Sequence, residues 1–342
     1  MSAATPLGRG ERRELCRGGP AVVAIGGGHG LARTLGAARR FAGTLTAIVS
    51  AADDGGSSGR LRASLDIPAP GDLRKAIGAL LVAPERAGAL LEHRFSGGEL
   101  AGHAFGNLLL AALTATAGDF ATAIGEACAL LGTLGPVYPA TSESVQLVGE
   151  TASASIYGQV AVMATPGLVK VRLEPAAPAT PEGALAALGD ADLVVLGPGS
   201  LYTSVLAALI APALAEAVRT SPALVVYVAN LQEQHPETTG YDLAAHLAAL
   251  GSHHVRVDAV LADPSAAVQR GELPAGMVVH LAEIARRPDG LVHDEARLAE
   301  ALARLVGGTA GPAGKGPTAL FDGRVRPNPH PRGTVGSAPP AR

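Results

Sequence analysis

Ala21-Val22-Val23-Ala24-Ile25-Gly26-Gly27-Gly28-His29-Gly30-Leu31 begins as a short apolar run and ends in glycines around one histidine. An apolar run closed by glycine predicts a buried strand. A helix is predicted from about Leu31 to Phe41, with Leu31 and Leu35 on one face and Arg33 and Arg40 exposed. Thr44–Ser50 reads as a second strand and leads to Asp53. Strand, glycine loop, helix, strand and acid follow one another in mononucleotide-binding units. The glycines admit a phosphate close to the backbone, and a helix start adds amide donors and a favourable dipole. Leu31 stands where a dinucleotide fingerprint needs its last glycine, which argues against a nicotinamide cofactor.

Outward from this unit lies Asp53-Asp54-Gly55-Gly56-Ser57-Ser58-Gly59-Arg60-Leu61-Arg62, a run of acids, glycines, hydroxyls and arginines. Its composition predicts neither a core strand nor an ordinary helix but a loop that wraps a polyanion: amides and hydroxyls as donors, Arg as clamp, carboxylates for a ribose or a cation. Asp72 is expected to cap a helix over Leu73–Val82 or to touch the ligand directly, and His103 and Asn107 are expected on one helix face near its N-terminus. A third loop, Gly197-Pro198-Gly199-Ser200-Leu201-Tyr202-Thr203-Ser204, follows the apolar strand Asp192–Leu196 and precedes a helical run, so it offers a second phosphate cradle. In an open parallel sheet, all strand C-terminal ends share one edge. The Gly26, Asp53 and Gly197 loops are therefore expected to converge.

Composition narrows the function classes. Hydrophobic residues make up 48% of the 342 and suffice for a core, while Trp is absent and aromatics are 3%, which speaks against base-stacking and sugar-stacking platforms. The formal net charge of −3 gives no general attraction for polyanions, so nucleic acid is not an expected partner. Cys16 and Cys128 are the only cysteines, too few for a disulfide framework or a cysteine zinc cluster. His253-His254 near Asp258 reads as an exposed turn rather than a metal site. No apolar run reaches the ~20 residues of a membrane helix, and a cytoplasmic protein is expected. Residues 1–19 and 309–342 read as disordered tails. A single domain is expected over 20–308, with a β-rich insert at about 137–174 whose strands are Val145–Val148, Ile156–Met163 and Leu168–Leu173. The fold class is thus α/β: a Rossmann-like, mostly parallel sheet flanked by helices.

Five stretches in this order, GGGHGL at 26–31, DDGGSSGRLR at 53–62, PGDLR at 70–74, GHAFGNLLL at 102–110 and GPGSLYTS at 197–204, resemble the bacterial gluconeogenesis factor family (YvcK-like), relatives of the 2-phospho-lactate transferase CofD. The resemblance implies UDP-N-acetylglucosamine as ligand and a role in cell morphology and central carbon use. It also implies a binding rather than a catalytic protein. The ligand set it implies is Gly26, Gly27, Gly28, His29, Gly30, Leu31, Asp53, Asp54, Gly55, Gly56, Ser57, Ser58, Gly59, Arg60, Asp72, Asn107, Gly197, Pro198, Gly199, Ser200, Leu201, Thr203 and Asn230. Two departures stand out. His29 replaces a Thr found in many relatives, and Asn230–Tyr241, NLQEQHPETTGY, lacks the Gly that commonly precedes Glu-Thr, which lowers the weight of that loop as a ligand contact. Mg²⁺ between an Asp and phosphate is a further expectation, as are cell-wall or morphogenesis proteins as partners and a homo-oligomer. The competing readings are a CofD-type transferase that moves a phospho-lactyl group onto a deazaflavin and, more distantly, a nicotinamide oxidoreductase.

Overall fold

β1 (Ala21–Gly26) and its neighbours are buried on both faces, which is why they read as continuous apolar runs. The computed structural model describes residues 14–308 except 269, 288 and 289. Its main sheet also contains β2 (Thr44–Val49), β3 (Val137–Pro139), β7 (Leu193–Leu196), β8 (Leu224–Val228), β9 (Ala259–Ala262) and β10 (Val278–Leu281). The order is β10-β9-β8-β7-β1-β2-β3, with every pairing parallel. The chain winds from β1 toward β3, then crosses back to β7 and winds the other way. The switch point therefore lies between β1 and β7, where a doubly wound sheet opens a ligand crevice.

Successive strand residues face opposite sides. Val22 and Ala24 pack into the core shared with α1 (Gly28–Ala38), α3 (Gly71–Leu80), α6 (Phe120–Leu131) and α12 (Glu295–Gly308). Val23 and Ile25 pack into the opposite core with α8 (Glu182–Gly189), α10 (Pro212–Thr220) and α11 (Leu243–Ser252). A second, antiparallel sheet holds β4 (Gln146–Glu150) between β5 (Ser155–Tyr157) and β6 (Lys170–Glu174). Leu147, Val171 and Leu173 tie it into the second core. No single described helix is long and apolar enough to cross a membrane.

Several expectations change. Val137 belongs to the main sheet through β3, so the antiparallel insert begins at Gln146. Within the insert, Gln159–Met163 is a short helix, α7, and not part of a strand, because the Asp54 carboxylate accepts from the N–H groups of Gln159 and Val160 at 2.9 Å each and caps it. The Asp53 stretch is largely helical: Gly56–Leu65 forms α2, whose Leu61 buries against Ile67 and Ala111. α1 begins at Gly28, which places His29 and Gly30 in its first turn. Asp72 is inside the first turn of α3 and caps nothing. His103 precedes α5 (Phe105–Ala117) rather than sharing its face with Asn107. Residues 14–19, expected in a tail, hold the Cys16 N–H on the Ala42 carbonyl at 2.9 Å. The rest of both expected tails lies outside the described residues. His253 is buried; its Nε2 accepts from the Val171 N–H at 3.0 Å, which joins α11 to the insert.

Candidate functional site

The loops after β1 and β7 touch at the switch point. The Gly197 N–H donates to the Ile25 carbonyl at 3.0 Å, and the Thr34 hydroxyl donates to the Gly197 carbonyl at 2.6 Å. Approach is so close at Gly30 that a Cβ there would stand 2.0 Å from the Pro198 carbonyl oxygen. Only glycine fits. Asn230, just past β8, brackets Gly199: its Oδ1 accepts from the Gly199 N–H at 3.1 Å and its Nδ2 donates to the Gly199 carbonyl at 2.9 Å. No side chain caps the N-terminus of α1, so its amides and dipole face the crevice available to an anion.

A cavity of about 760 Å³ opens over these loops. His29 and Arg33 of α1 and Lys75 of α3 line it with Pro198 and Gly199, and Asn230, Gln232, Gln234 and His293 line it as well. Arg33, expected to be exposed, is half-buried here and pairs with Glu295 at 3.0 Å. His29 and Arg33 are four residues apart, which sets both on one face of α1. Burial of His293 pushes its pKa down to about 4.

The Gly197 loop matches its expected role only in part. Beyond it, Leu201–Leu206 is a π-helical turn running into α9 (Ala207–Leu209). The Glu237 carboxylate occupies its start, accepting from the N–H of Tyr202 at 2.7 Å and of Thr203 at 2.9 Å. The hydroxyls of Thr203 and Ser200 bond to it as well. An internal anion thus sits where a phosphate was expected, and Ser200, Leu201 and Thr203 turn inward. Burial raises the pKa of Glu237, and these hydrogen bonds oppose the rise. Glu237 lies in the Asn230–Tyr241 loop, where a carboxylate among polar residues gives no sign of burial. Leu31 is also a core residue, 1% exposed, and does not line the cavity.

The Asp53 loop divides its side chains. Asp53 accepts from the Gly55 N–H at 3.0 Å and bonds the Ser58 hydroxyl. Burial first, then the charge of Asp72, raises its pKa, while Lys75 works against the rise. Asp72 pairs with Lys75 at 2.9 Å and crowds Gly27, where a Cβ would stand 2.6 Å from Asp72 Oδ2. Asp53, Asp72 and Lys75 therefore converge beside the α1 start. Lys75 was signalled only by its spacing of three from Asp72, which puts both on one helix face. Asp54 faces away, into α7. Arg60 donates to the Ala101 carbonyl at 2.9 Å rather than into the crevice. Ser57 and Asn107 bond each other at 3.0 Å, and Asn107 accepts from the buried Arg74. Among the described residues no group of three or more His, Cys, Asp or Glu could hold a metal ion.

Residues 22–293 match the family model of 2-phospho-L-lactate transferase CofD. The chain belongs to that family. It is 40% identical over 318 residues to a putative gluconeogenesis factor of Mycobacterium tuberculosis, covering 85% of this chain and 93% of the relative. A putative gluconeogenesis factor of Deinococcus radiodurans is 47% identical over 248 residues, 71% of this chain and 53% of that protein; the chain thus spans about half the length of that relative. A crystallised member of the UPF0052 family from Bacillus halodurans superposes with a TM-score of 0.77 at 36% identity, over 82% of this chain and 97% of the other.

Proposed function

We propose that the chain binds a nucleotide sugar, UDP-N-acetylglucosamine, in the switch-point crevice, and acts as a regulator of cell morphogenesis and of central carbon metabolism during gluconeogenic growth. The observation that carries this reading is the cavity of about 760 Å³, with the uncapped start of α1 beside His29, Arg33 and Lys75. Amide donors and cations suit a diphosphate. The side-chain amides of Asn230, Gln232 and Gln234 suit a base or a sugar. The name gluconeogenesis factor, carried by the relatives, supports the metabolic side of the proposal. Partners in this reading are cell-wall or morphogenesis proteins, engaged by a homo-oligomer according to ligand load.

Asp53 and Asp72 favour a second reading, a CofD-type transfer of a phospho-lactyl group from a nucleotide carrier to a deazaflavin. Two carboxylates that repel each other fit Mg²⁺, which takes one or two carboxylates and completes its shell with phosphate and water. In that reading the ion would neutralise phosphate charge, and Asp53 and Asp72 would orient it.

Calorimetric titration with UDP-N-acetylglucosamine, UDP, GDP and a deazaflavin, with and without Mg²⁺, separates the readings. Saturable binding of UDP-N-acetylglucosamine without turnover is the expected result. Mg²⁺-dependent consumption of a phospho-lactyl nucleotide in the presence of the deazaflavin establishes the transferase instead, and absence of binding to any uridine nucleotide removes the first proposal.

A further inference from the structure

We infer that a one-way hydrogen-bond chain starting at Arg74 holds His103 in a single tautomer, with its proton on Nε2, and that this N–H donates to a phosphoryl or sugar oxygen of the ligand. The ligand half rests on the nucleotide-sugar reading above, with the ligand reaching beyond the cavity residues named there, since His103 is not among them; the tautomer half does not.

Side-chain hydrogen bonds usually leave amide and imidazole orientations open, but here the first member fixes the amide, and the partners of the hydroxyl fix the ring. Arg74 is 2% exposed and pairs with Glu92. Its Nε lies 3.0 Å from Asn107 Oδ1. A guanidinium only donates, so the Asn107 oxygen must face it and the Asn107 amide nitrogen must face the other way. That nitrogen donates to Ser57 Oγ at 3.0 Å. Ser57 Oγ, already accepting there, stands 3.0 Å from His103 Nδ1. A hydroxyl can accept twice, but among the described residues Ser57 Oγ has hydrogen bonds only with Asn107 and His103; its proton therefore goes to the ring, which makes Nδ1 an acceptor and places the ring proton on Nε2. Burial and the nearby charge of Arg60 lower the His103 pKa, in keeping with a neutral ring.

The chain changes what each residue does. Arg74, Asn107 and Ser57 are all buried and hydrogen-bonded in series. They are positioning residues. His103 is half-buried, and Nε2 is its one ring nitrogen outside the chain. Arg60 flanks it; a Cβ at Gly102, the residue before His103, would stand 3.2 Å from an Arg60 terminal nitrogen. His103 Nε2–H beside the Arg60 cation suits a phosphoryl or sugar oxygen.

Long-range ¹H–¹⁵N spectra of the full chain at neutral pH test the tautomer. The Nε2–H form is expected for His103. In Asn107→Asp, the carboxylate accepts from both Arg74 and Ser57, so the Ser57 proton turns away and His103 must donate from Nδ1; the spectrum should switch to the Nδ1–H form. Ser57→Ala leaves the Arg74–Glu92 pair in place and should release the ring into a mixture of tautomers. An Nδ1–H ring in the unmodified protein, or no change in either variant, overturns the chain. Titration with UDP-N-acetylglucosamine tests the ligand half: His103→Phe should weaken binding about tenfold, the worth of one hydrogen bond to a charged acceptor, and His103→Gln should restore most of it. Equal affinity of His103→Phe and the unmodified protein overturns the contact. If the unmodified protein does not bind the probe, the nucleotide-sugar reading and this contact both fail, while the spectra still decide the tautomer.

Discussion

Two helix starts follow two glycine loops at the same sheet edge, and they have opposite fates. After Gly26-Gly27-Gly28, α1 begins without a side-chain cap and faces a cavity. After Gly197-Pro198-Gly199, the Leu201 turn begins with the Glu237 carboxylate already on its amides. Both loops carry the composition expected of a phosphate cradle. The difference resides in a single acid 35 residues beyond Tyr202. A glycine loop before a helix therefore marks a place where an anion can sit; whether that anion is a ligand or part of the chain is decided elsewhere.

The largest effect is expected from forcing the two loops apart. Gly30→Val sets a side chain against the Pro198 carbonyl and should destabilise the fold by about 3 kcal/mol or more in urea unfolding. A smaller loss, about 2 kcal/mol, is expected for Glu237→Ala, which strips a charged acceptor from two buried amides. The same variant should also open a second anion site: phosphate should stabilise Glu237→Ala more than the unmodified chain. If stability is unchanged, Glu237 is not a cap.

The two regions should also answer pH with opposite signs. Glu237 has a raised pKa when folded, so its contribution is full below 4.5 and is lost as pH rises through the raised value. His293, on the cavity wall, is lowered from 6.5 to about 4, so its contribution is full above 6.5 and is lost as pH falls toward 4. Glu237→Gln should flatten the stability curve above pH 4.5, and His293→Gln should flatten it between 6.5 and 4. A steeper curve in either variant contradicts the assignment. Smallest of all, Lys75→Met should leave unfolding unchanged within about 0.5 kcal/mol, since its pair with Asp72 is partly exposed, yet weaken UDP-N-acetylglucosamine several-fold.

The sheet and its switch point were legible because strands buried on both faces leave unbroken apolar runs, as in Val22–Ile25 and Leu193–Leu196. The meeting of the Gly26 and Gly197 loops followed from that topology alone. Contacts that depend on distant partners were not legible. Nothing near Leu61 announces that Ile67 and Ala111 will bury it and make a helix of a glycine- and serine-rich run. His253 reads as a turn residue until β6 lays the Val171 N–H against it. Asp53 and Asp54 are neighbours in sequence, yet one turns to Ser58 and Asp72 and the other to α7. Composition cannot separate them; only the insert, more than 100 residues later, does so.

That last bond roots the insert in the loop that also carries Asp53. Asp54 grips the first turn of α7 from the residue next to Asp53, so the antiparallel sheet is no detachable module. Excising 146–174 to make a minimal scaffold would leave the Asp54 carboxylate bare, next to one whose pKa is already raised. Grafting another flap onto this frame requires a helix N-terminus delivered to Asp54, whatever the rest of the flap looks like.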